Sequence, residues 1–209
     1  MSDSYKTLGH PGQDEYIVKH SRFIGYAAPV KTEQEALDFI ARISKKHWDA
    51  RHNVYAYSIR EGGVKRYSDD GEPQGTAGMP VLNVILQEDV TDCVVVVTRY
   101  FGGILLGGGG LVRAYTHSAK IGIDAAEIVT LTKWNVCKII CDYNFYGKLE
   151  TFIRDFGGVT GECDFGENVT INFRIEKGSE VSFDKKLKDI SNGKVDFEII
   201  DEIIAGKAE

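Results

Sequence analysis

An acidic loop, 69-DDGEPQGTAGMP-80, is the first segment whose residue types could do chemistry. Asp69, Asp70 and Glu72 place three carboxylates within four residues. Three carboxylates can hold Mg²⁺, and they can equally pair with arginines from another loop. The Asp-Gly and Glu-Pro pairs of the segment are typical of turns. We favour a turn whose carboxylates pair with arginines, because no second cluster of metal ligands accompanies it.

A glycine-rich loop lies in the second such segment, 98-TRYFGGILLGGGGLVRAY-115. It contains six glycines, Gly102, Gly103, Gly107, Gly108, Gly109 and Gly110, between a predicted buried strand and a predicted helix. Backbone amides in front of a helix can hold an anion. The segment nearly matches the P-loop, but Gly108 stands where that motif needs lysine, which argues against an ordinary nucleotide triphosphatase.

Arg99, Tyr100, Arg113 and His117 are the side chains of this segment that could contact a ligand. A helix from about 110 to 126 puts Arg113 in its first turn, where a cation is unfavourable by roughly 0.3–1 kcal/mol. A bound anion would offset this cost, and Arg99 could assist. The alternative is a solvated face on which Arg113 pairs with an acid. Tyr100 could stack on a base or a partner, or pack in a core.

Composition limits the function classes. The chain has 209 residues and a net charge of −6. Residues 1–131 contain 14 Lys/Arg against 16 Asp/Glu, and residues 132–209 contain 11 against 15. Neither part is a basic domain, which disfavours generic binding to nucleic acid through counterion release. No apolar run approaches a membrane span and no secretory signal begins the chain, so we expect a cytoplasmic location and no membrane contact.

No sequence pattern indicates catalysis, a cofactor or a metal. The motifs HExxH and GxSxG do not occur. Cys93 opens an apolar run and the other three cysteines alternate with apolar residues, so all four are predicted to pack in cores of a reduced protein. Cys137 and Cys141 lie in a predicted strand, where four residues span roughly 13 Å, too far for one metal.

The first part of the chain has a mixed pattern of strands and helices. Thr32 and Glu35 form a capping box, which predicts a helix over 33–47 whose apolar face contains Leu37, Ile40, Ala41, Ser44 and Trp48. Extended segments are predicted at 15–19, 22–30 and 93–100, and a hairpin at 53–60 and 64–68. A second helix is predicted to begin at Pro80.

The second part of the chain has a β-α-β-β-α-β pattern. Strands are predicted at 134–141, 159–165, 168–176 and 194–204, and helices at 145–156 and 182–191. This order is typical of the ferredoxin-like fold. We therefore predict an α+β protein with two domains, residues 1–131 and 132–209.

Four motifs in order resemble the IMPACT/YigZ family. They are 21-SRFIGYAAPV-30, 52-HNVYAYSI-59, 68-SDDGEPQGTAGMPVL-82 and 97-VTRYFGGILLGGGGLVRAY-115. The resemblance covers about residues 15–125. The remainder is similar to the small ferredoxin-like domain that bacterial members carry, which resembles the last domain of elongation factor G.

The resemblance implies a fold and a class of function. The first domain would be a two-layer mixed α/β sandwich, as in the second domain of a small-subunit ribosomal protein. Eukaryotic members regulate translation by binding a partner of a stress kinase, through a form with an accessory domain that is not found in this chain. A link to the ribosome or to nucleic acid is implied for bacterial members.

We predict a non-enzymatic binding protein associated with translation. Its partner would be the ribosome, RNA or a translation-related protein, contacted through the acidic and glycine-rich loops. The acidic balance of the second part favours a protein partner over bare RNA. The alternative is a metal-assisted enzyme acting on a phosphorylated small molecule or nucleotide.

Overall fold

The structure is a computed structural model that describes residues 4–206. The chain divides into two compact units. One comprises Tyr5–Val129, and the other comprises Ser4 and the residues from Thr130 onward.

The N-terminal unit is built on an antiparallel sheet. Its helices are α1 (Glu33–Lys46), α2 (Gly78–Gln87) and α3 (Gly108–Ala125), and a 3₁₀ turn spans Glu61–Gly63. Its strands are β1 (Ser4–Leu8), β2 (Gly12–Val18), β3 (Ser21–Pro29), β4 (His52–Ile59), β5 (Val64–Ser68) and β6 (Cys93–Tyr100). The sheet order is β2-β3-β6-β4-β5, with every neighbouring pair antiparallel. The predicted hairpin is the β4–β5 pair.

Helices cover both faces of this sheet. In the central strand β6, Val94 and Val96 pack with the core under α1, whereas Val95 and Val97 pack with the core under α2 and α3. All four valines are fully buried. A strand that is apolar on both faces needs cover on both. The unit therefore has three layers, and the prediction of a two-layer sandwich is wrong.

The buried face of α1 differs from the predicted one. Thr32 caps the helix by accepting a hydrogen bond from Glu35 N at 3.2 Å, as the capping box predicts. The buried residues are Ala36, Phe39, Ile40 and Ile43. Of the predicted apolar face only Ile40 is buried, and Trp48 is 84% exposed. Two sets of residues in this helix have helical spacing and could form its buried face. The set that contains Phe39 and Ile43 faces the sheet.

Helix α3 lies close to the sheet. A Cβ added at Gly25 on β3 would lie 1.9 Å from the carbonyl oxygen of Ser118. The helix therefore packs directly on the backbone of β3, and this contact fixes α3 relative to the strands that lead into the glycine-rich loop.

The second unit contains a further antiparallel sheet. Its elements are β7 (Ile128–Cys141), α4 (Tyr143–Asp155), β8 (Val159–Phe165), β9 (Val169–Glu176), α5 (Glu180–Ser191) and β10 (Phe197–Gly206). Four of its strands have the order β10-β7-β9-β8. The β-α-β-β-α-β order agrees with the sequence pattern, and the predicted domain boundary at 131/132 lies within β7.

The cysteines lie where small core residues are expected. Cys93, Cys137 and Cys141 are buried, Cys163 is half-buried, and all four are free thiols. Cys137 and Cys141 pack with Ile139 and Phe173 in the core of the second unit. These positions agree with the prediction of core cysteines.

Candidate functional site

Asp69 organises the acidic loop internally. Its Oδ1 accepts hydrogen bonds from Ala77 N at 3.1 Å and Gly78 N at 2.8 Å, and its Oδ2 accepts one from Gly75 N at 2.9 Å. Gly78 is the first residue of α2, two positions before the predicted start. Asp69 therefore places its charge at the amino end of a helix, where a carboxylate is favourable.

Asp70 ties the acidic loop to β4. Its Oδ2 accepts a hydrogen bond from Asn53 N at 2.6 Å, and its carbonyl oxygen lies 2.6 Å from His52 Nδ1. Asp70 and Gly71 both have positive φ, 44° and 83°. The turn chemistry expected of Asp-Gly is therefore present, and it brings His52 beside the loop.

Glu72 is the one acid of the loop that pairs with an arginine. Its Oε1 lies 2.5 Å from Arg99 Nη1, and the two side chains are 3% and 7% exposed. Tyr115 donates its hydroxyl to the same oxygen at 2.8 Å, and His52 Nε2 lies 3.7 Å away. We call this group of four residues the buried network. It joins the acidic loop to β6, β4 and α3.

Arg99 is enclosed by aromatic rings. Its guanidinium lies 5.4 Å from the ring of Phe23 and 5.6 Å from that of Phe101. The residue is 5% exposed. Its Nε has no hydrogen-bond partner among residues 4–206. Arg99 therefore stabilises the loop from inside and does not face solvent as a free phosphate contact.

Tyr115 and His52 belong to the buried network but were not among the predicted site residues. Tyr115 is fully buried, and burial, together with the neighbouring Glu72 carboxylate, raises the pKa of its hydroxyl. The buried face of α3 contains Leu111 and Ala114, so the spacing places Tyr115 inside. A buried tyrosine hydroxyl needs a hydrogen-bond partner, and this need was the signal that could have identified it.

Tyr100 lies on the opposite face of the sheet from Arg99, because successive side chains of a strand alternate. Its hydroxyl donates to Asp49 Oδ1 at 3.0 Å and lies 2.8 Å from His47 Nδ1. The other ring nitrogen of His47 lies 2.7 Å from the hydroxyl of Tyr26. Tyr100 is thus part of a separate polar cluster beneath α1.

The glycine-rich loop has two different parts. Gly102 packs on the β2–β3 turn, where an added Cβ would lie 2.0 Å from the carbonyl carbon of His20. Gly103 and Gly107 have positive φ, 85° and 71°, and open space where a Cβ would point. Gly102 is therefore required for close packing, whereas Gly103 and Gly107 allow the chain to turn into α3.

Helix α3 begins with uncapped glycines. Gly107 is the N-cap and makes no side-chain capping bond, and the first turn has no acidic residue. The helix continues with Gly108, Gly109 and Gly110, and a Cβ at Gly109 would meet nothing within 4 Å. Uncapped helix amides can bind an anion, and the glycine at 109 leaves room beside them.

Arg113 and His117 lie on the exposed face of α3. Because the helix starts at Gly108, Arg113 is its sixth residue and lies in the second turn, not in the first as predicted. It has no ion pair within the described part of the chain, so pairing with the acidic loop is made by Arg99 alone. The ring of His117 packs edge-on against Tyr16, with centroids 4.4 Å apart.

Apolar side chains project from the same loop. Leu105 is 81% exposed and Ile104 is 44% exposed, and Phe101 is also exposed, as is Val112 nearby in α3. Such residues next to open helix amides form a surface that can contact both apolar and anionic groups.

The sequence was compared with known families and proteins. The family model described as "Impact N-terminal domain" matches residues 19–123. "IMPACT family member YvyE" of Bacillus subtilis is 40% identical over 197 residues, 94% of this chain and 91% of that protein. The chain belongs to the IMPACT family. The family match includes both the acidic loop and the glycine-rich loop.

Three further comparisons extend the likeness to the second unit of this IMPACT-family chain. A model described as "Domain of unknown function (DUF1949)" matches residues 139–194. "IMPACT family member YigZ" of Escherichia coli is 31% identical over 88% of this chain and 92% of that protein. A solved structure titled "Crystal structure of an hypothetical protein" is 29% identical, with a TM-score of 0.61 over 96% of this chain and 99% of the other.

Two further findings concern residues 4–206, the part of this IMPACT-family chain that the structure describes. None of their helices is long and apolar enough to cross a membrane. Their His, Cys, Asp and Glu side chains form no group of three placed to hold a metal ion. In the acidic loop each carboxylate is engaged by amides, by Arg99 or by Tyr115.

Proposed function

We propose that this IMPACT-family chain is a binding protein of the translation apparatus that acts without catalysing a reaction. Its site would be the amino end of α3 together with Arg113 and the exposed side chains of the glycine-rich loop. The observation that carries the proposal is the row of glycine amides at the uncapped amino end of α3, where a Cβ added at Gly109 would meet nothing within 4 Å. Membership of the family supports the link to translation.

The partner is proposed to present phosphate groups, as ribosomal RNA does. Helix amides and an unpaired arginine favour an anion. The buried network supports this role, because the Glu72–Arg99 pair holds the base of the loop in one conformation. Arg99 was predicted to contact phosphate. In this proposal it instead stabilises the loop through its pair with Glu72.

The proposal extends to the organisation of the chain. The two domains would be residues 1–131 and 132–209, and the second would have the ferredoxin-like fold. Support comes from its element order and from the strand order β10-β7-β9-β8. Its sheet would offer a second contact surface for RNA or protein, in the cytoplasm where ribosomes are found.

Co-sedimentation with ribosomes tests the proposal. We compare the wild type with Gly109→Asp and Gly109→Asn at low and moderate salt. An aspartate near the start of a helix is compatible with the helix dipole, and the site has room for it. Gly109→Asp therefore keeps the fold and repels phosphate, whereas Gly109→Asn has nearly the same shape without the charge.

The expected result is salt-sensitive binding by the wild type and by Gly109→Asn, with binding lost in Gly109→Asp. Arg113→Gln should weaken binding and reduce its salt dependence, since one phosphate contact fewer releases fewer counterions. Equal sedimentation of the Asp and Asn variants, or no sedimentation of the wild type at either salt, would refute the proposed site.

A further inference from the structure

A cleft in the second unit has the size and the polar groups of a small-molecule site. Its volume is about 580 Å³, and small-molecule sites range over roughly 300–1,000 Å³. It lies between the end of β7, the start of α4, the β8–β9 turn and the end of α5. All of these elements belong to the unit from Thr130 onward.

The cleft is rich in hydrogen-bond donors. The donor side chains that line it are two lysines, three asparagines and a serine: Lys148, Lys194, Asn144, Asn168, Asn192 and Ser191. Residues 132–209 as a whole contain 11 basic and 15 acidic residues, so this local excess of cations runs against the composition of the segment. The chemistry indicates an acceptor-rich, negatively charged ligand.

The single carboxylate among the cleft residues, that of Asp142, already accepts a hydrogen bond within the protein. Asp142 is the N-cap of α4, and its Oδ1 accepts a hydrogen bond from Phe145 N at 2.8 Å. Lys148 donates one of its three protons to the carbonyl oxygen of Ile190 at 3.0 Å. That bond positions the ammonium at the cleft and leaves two protons for a ligand.

Ser191 supplies an independent observation. The residue is 5% exposed and lines the cleft. Its hydroxyl has no hydrogen-bond partner within residues 4–206. A buried hydroxyl without a partner is costly. Because the Ser191 oxygen is enclosed, a ligand oxygen in the cleft satisfies it after the side chain turns toward the cleft.

An apolar wall completes the cleft. Ile140, Phe145, Ile190 and Val195 contribute to its lining, and Ile140 is 52% exposed. An inorganic ion alone would leave this surface in contact with water. The apolar wall therefore favours an organic molecule over a bare ion.

We propose that this cleft binds a small organic anion, with a phosphate or carboxylate group held by Lys148, Lys194 and the asparagine amides. The apolar part of the ligand lies against Phe145 and its neighbours. The cleft belongs to the unit from Thr130 onward, whereas α3 belongs to the N-terminal unit, so it adds a small-molecule function to the proposed binding role.

Nuclear magnetic resonance titration of the full-length protein tests the site. The probes are adenosine monophosphate, phenylacetate and inorganic phosphate, each at constant ionic strength. Saturable shifts of the backbone amides of Asn144, Phe145 and Asn192 are expected with at least one organic probe. Adenosine monophosphate and phenylacetate distinguish a phosphate from a carboxylate ligand, and inorganic phosphate should bind at least ten-fold more weakly than the organic probe that binds.

Matched variants separate a defined site from general charge. Lys148→Gln/Lys194→Gln should weaken binding at least ten-fold, whereas Lys65→Gln/Lys185→Gln, with the same net charge and both changes outside the cleft, should bind as the wild type does. Ser191→Ala should weaken binding several-fold and should keep or raise the melting temperature, since it removes a buried hydroxyl that has no partner.

Two results would overturn the proposal: no saturable shift with either organic probe, or equal affinity in the two double-lysine variants. The amides of Gly108, Gly109 and Gly110 report the α3 site in the same spectra. Binding of a probe in the cleft is therefore distinguished from binding at the amino end of α3, and ribosome co-sedimentation tests the proposed function separately.

Discussion

The carboxylate of Glu72 and the guanidinium of Arg99 form an ion pair that is almost completely removed from solvent, with 2.5 Å between Oε1 and Nη1. The pair joins the acidic loop, which lies between β5 and α2, to the end of the central strand β6. Both loops of the candidate site thus depend on one interaction.

Removing one partner of this pair should be strongly destabilising. We expect Arg99→Met to lower the free energy of unfolding of the N-terminal unit by about 3–5 kcal/mol, because Glu72 is left charged and buried. Glu72→Gln/Arg99→Met should recover most of this loss. Urea unfolding followed by hydrogen exchange in β6 measures both, and Arg113→Met on the exposed face of α3 is the control. If the effects of Glu72→Gln and Arg99→Met on the free energy of unfolding simply add, the two residues are not coupled.

Two glycines of the same loop should respond oppositely to alanine. A Cβ at Gly102 would lie 2.0 Å from the backbone of His20, so Gly102→Ala should destabilise the protein by about 1–3 kcal/mol, the usual cost of overpacking. Gly109→Ala meets nothing within 4 Å and should stabilise α3 by about 0.5–1 kcal/mol. Melting temperatures of the two variants should move in opposite directions. Destabilisation by Gly109→Ala would mean that the open space where a Cβ of residue 109 would point is not present in solution.

Helices and strands were predicted correctly where capping residues or an uninterrupted apolar run marked them. Thr32 and Glu35 placed the start of α1, and the apolar run Cys93–Tyr100 placed β6. The start of α3 was predicted two residues late, because glycines have low helix propensity and hide a helix that tertiary packing stabilises. That shift is why Arg113 was placed in the first turn.

The candidate site was harder to predict, because its geometry depends on strand register. A pairing between the acidic loop and an arginine was predicted, but which carboxylate pairs was not. The β4–β6 register sets His52 opposite Arg99, and the backbone amide of Asn53 on β4 donates to the Asp70 carboxylate. Burial of Tyr115 beside Glu72 likewise depends on the position of α3 over β3. No short-range pattern contains this information.

His47 should make stability fall in mild acid. It is 8% exposed, and burial, followed by the nearby charges of Lys46 and Arg22, lowers its pKa below the usual 6.5, while Asp49 acts in the opposite direction. The unfolded chain therefore takes up a proton that the folded state resists. The contribution of the neutral His47 ring to the free energy of unfolding is fully present above about pH 6.5. It is lost as the pH falls toward the lower pKa that His47 has in the folded protein.

The pH effect can be measured as a difference between variants. Free energies of unfolding between pH 5 and 7.5 should decline more steeply for the wild type than for His47→Gln, which cannot titrate. His117→Gln, on the exposed face of α3, should follow the wild type. Parallel profiles for the wild type and His47→Gln would show that the bonds of His47 to Tyr26 and Tyr100 persist when the ring is protonated.

The four free thiols should differ sharply in their reactivity. Burial raises the pKa values of Cys93 and Cys137 to about 12, so at pH 8 roughly one in ten thousand of each is the reactive thiolate. Cys163, half-buried on β8, should be alkylated first by iodoacetamide, as followed by peptide mass spectrometry. Cys93 lies at the start of the central strand, and its labelling requires the N-terminal sheet to open. If Cys93 is alkylated as fast as Cys163 under native conditions, then β6 is not the stable centre of the unit.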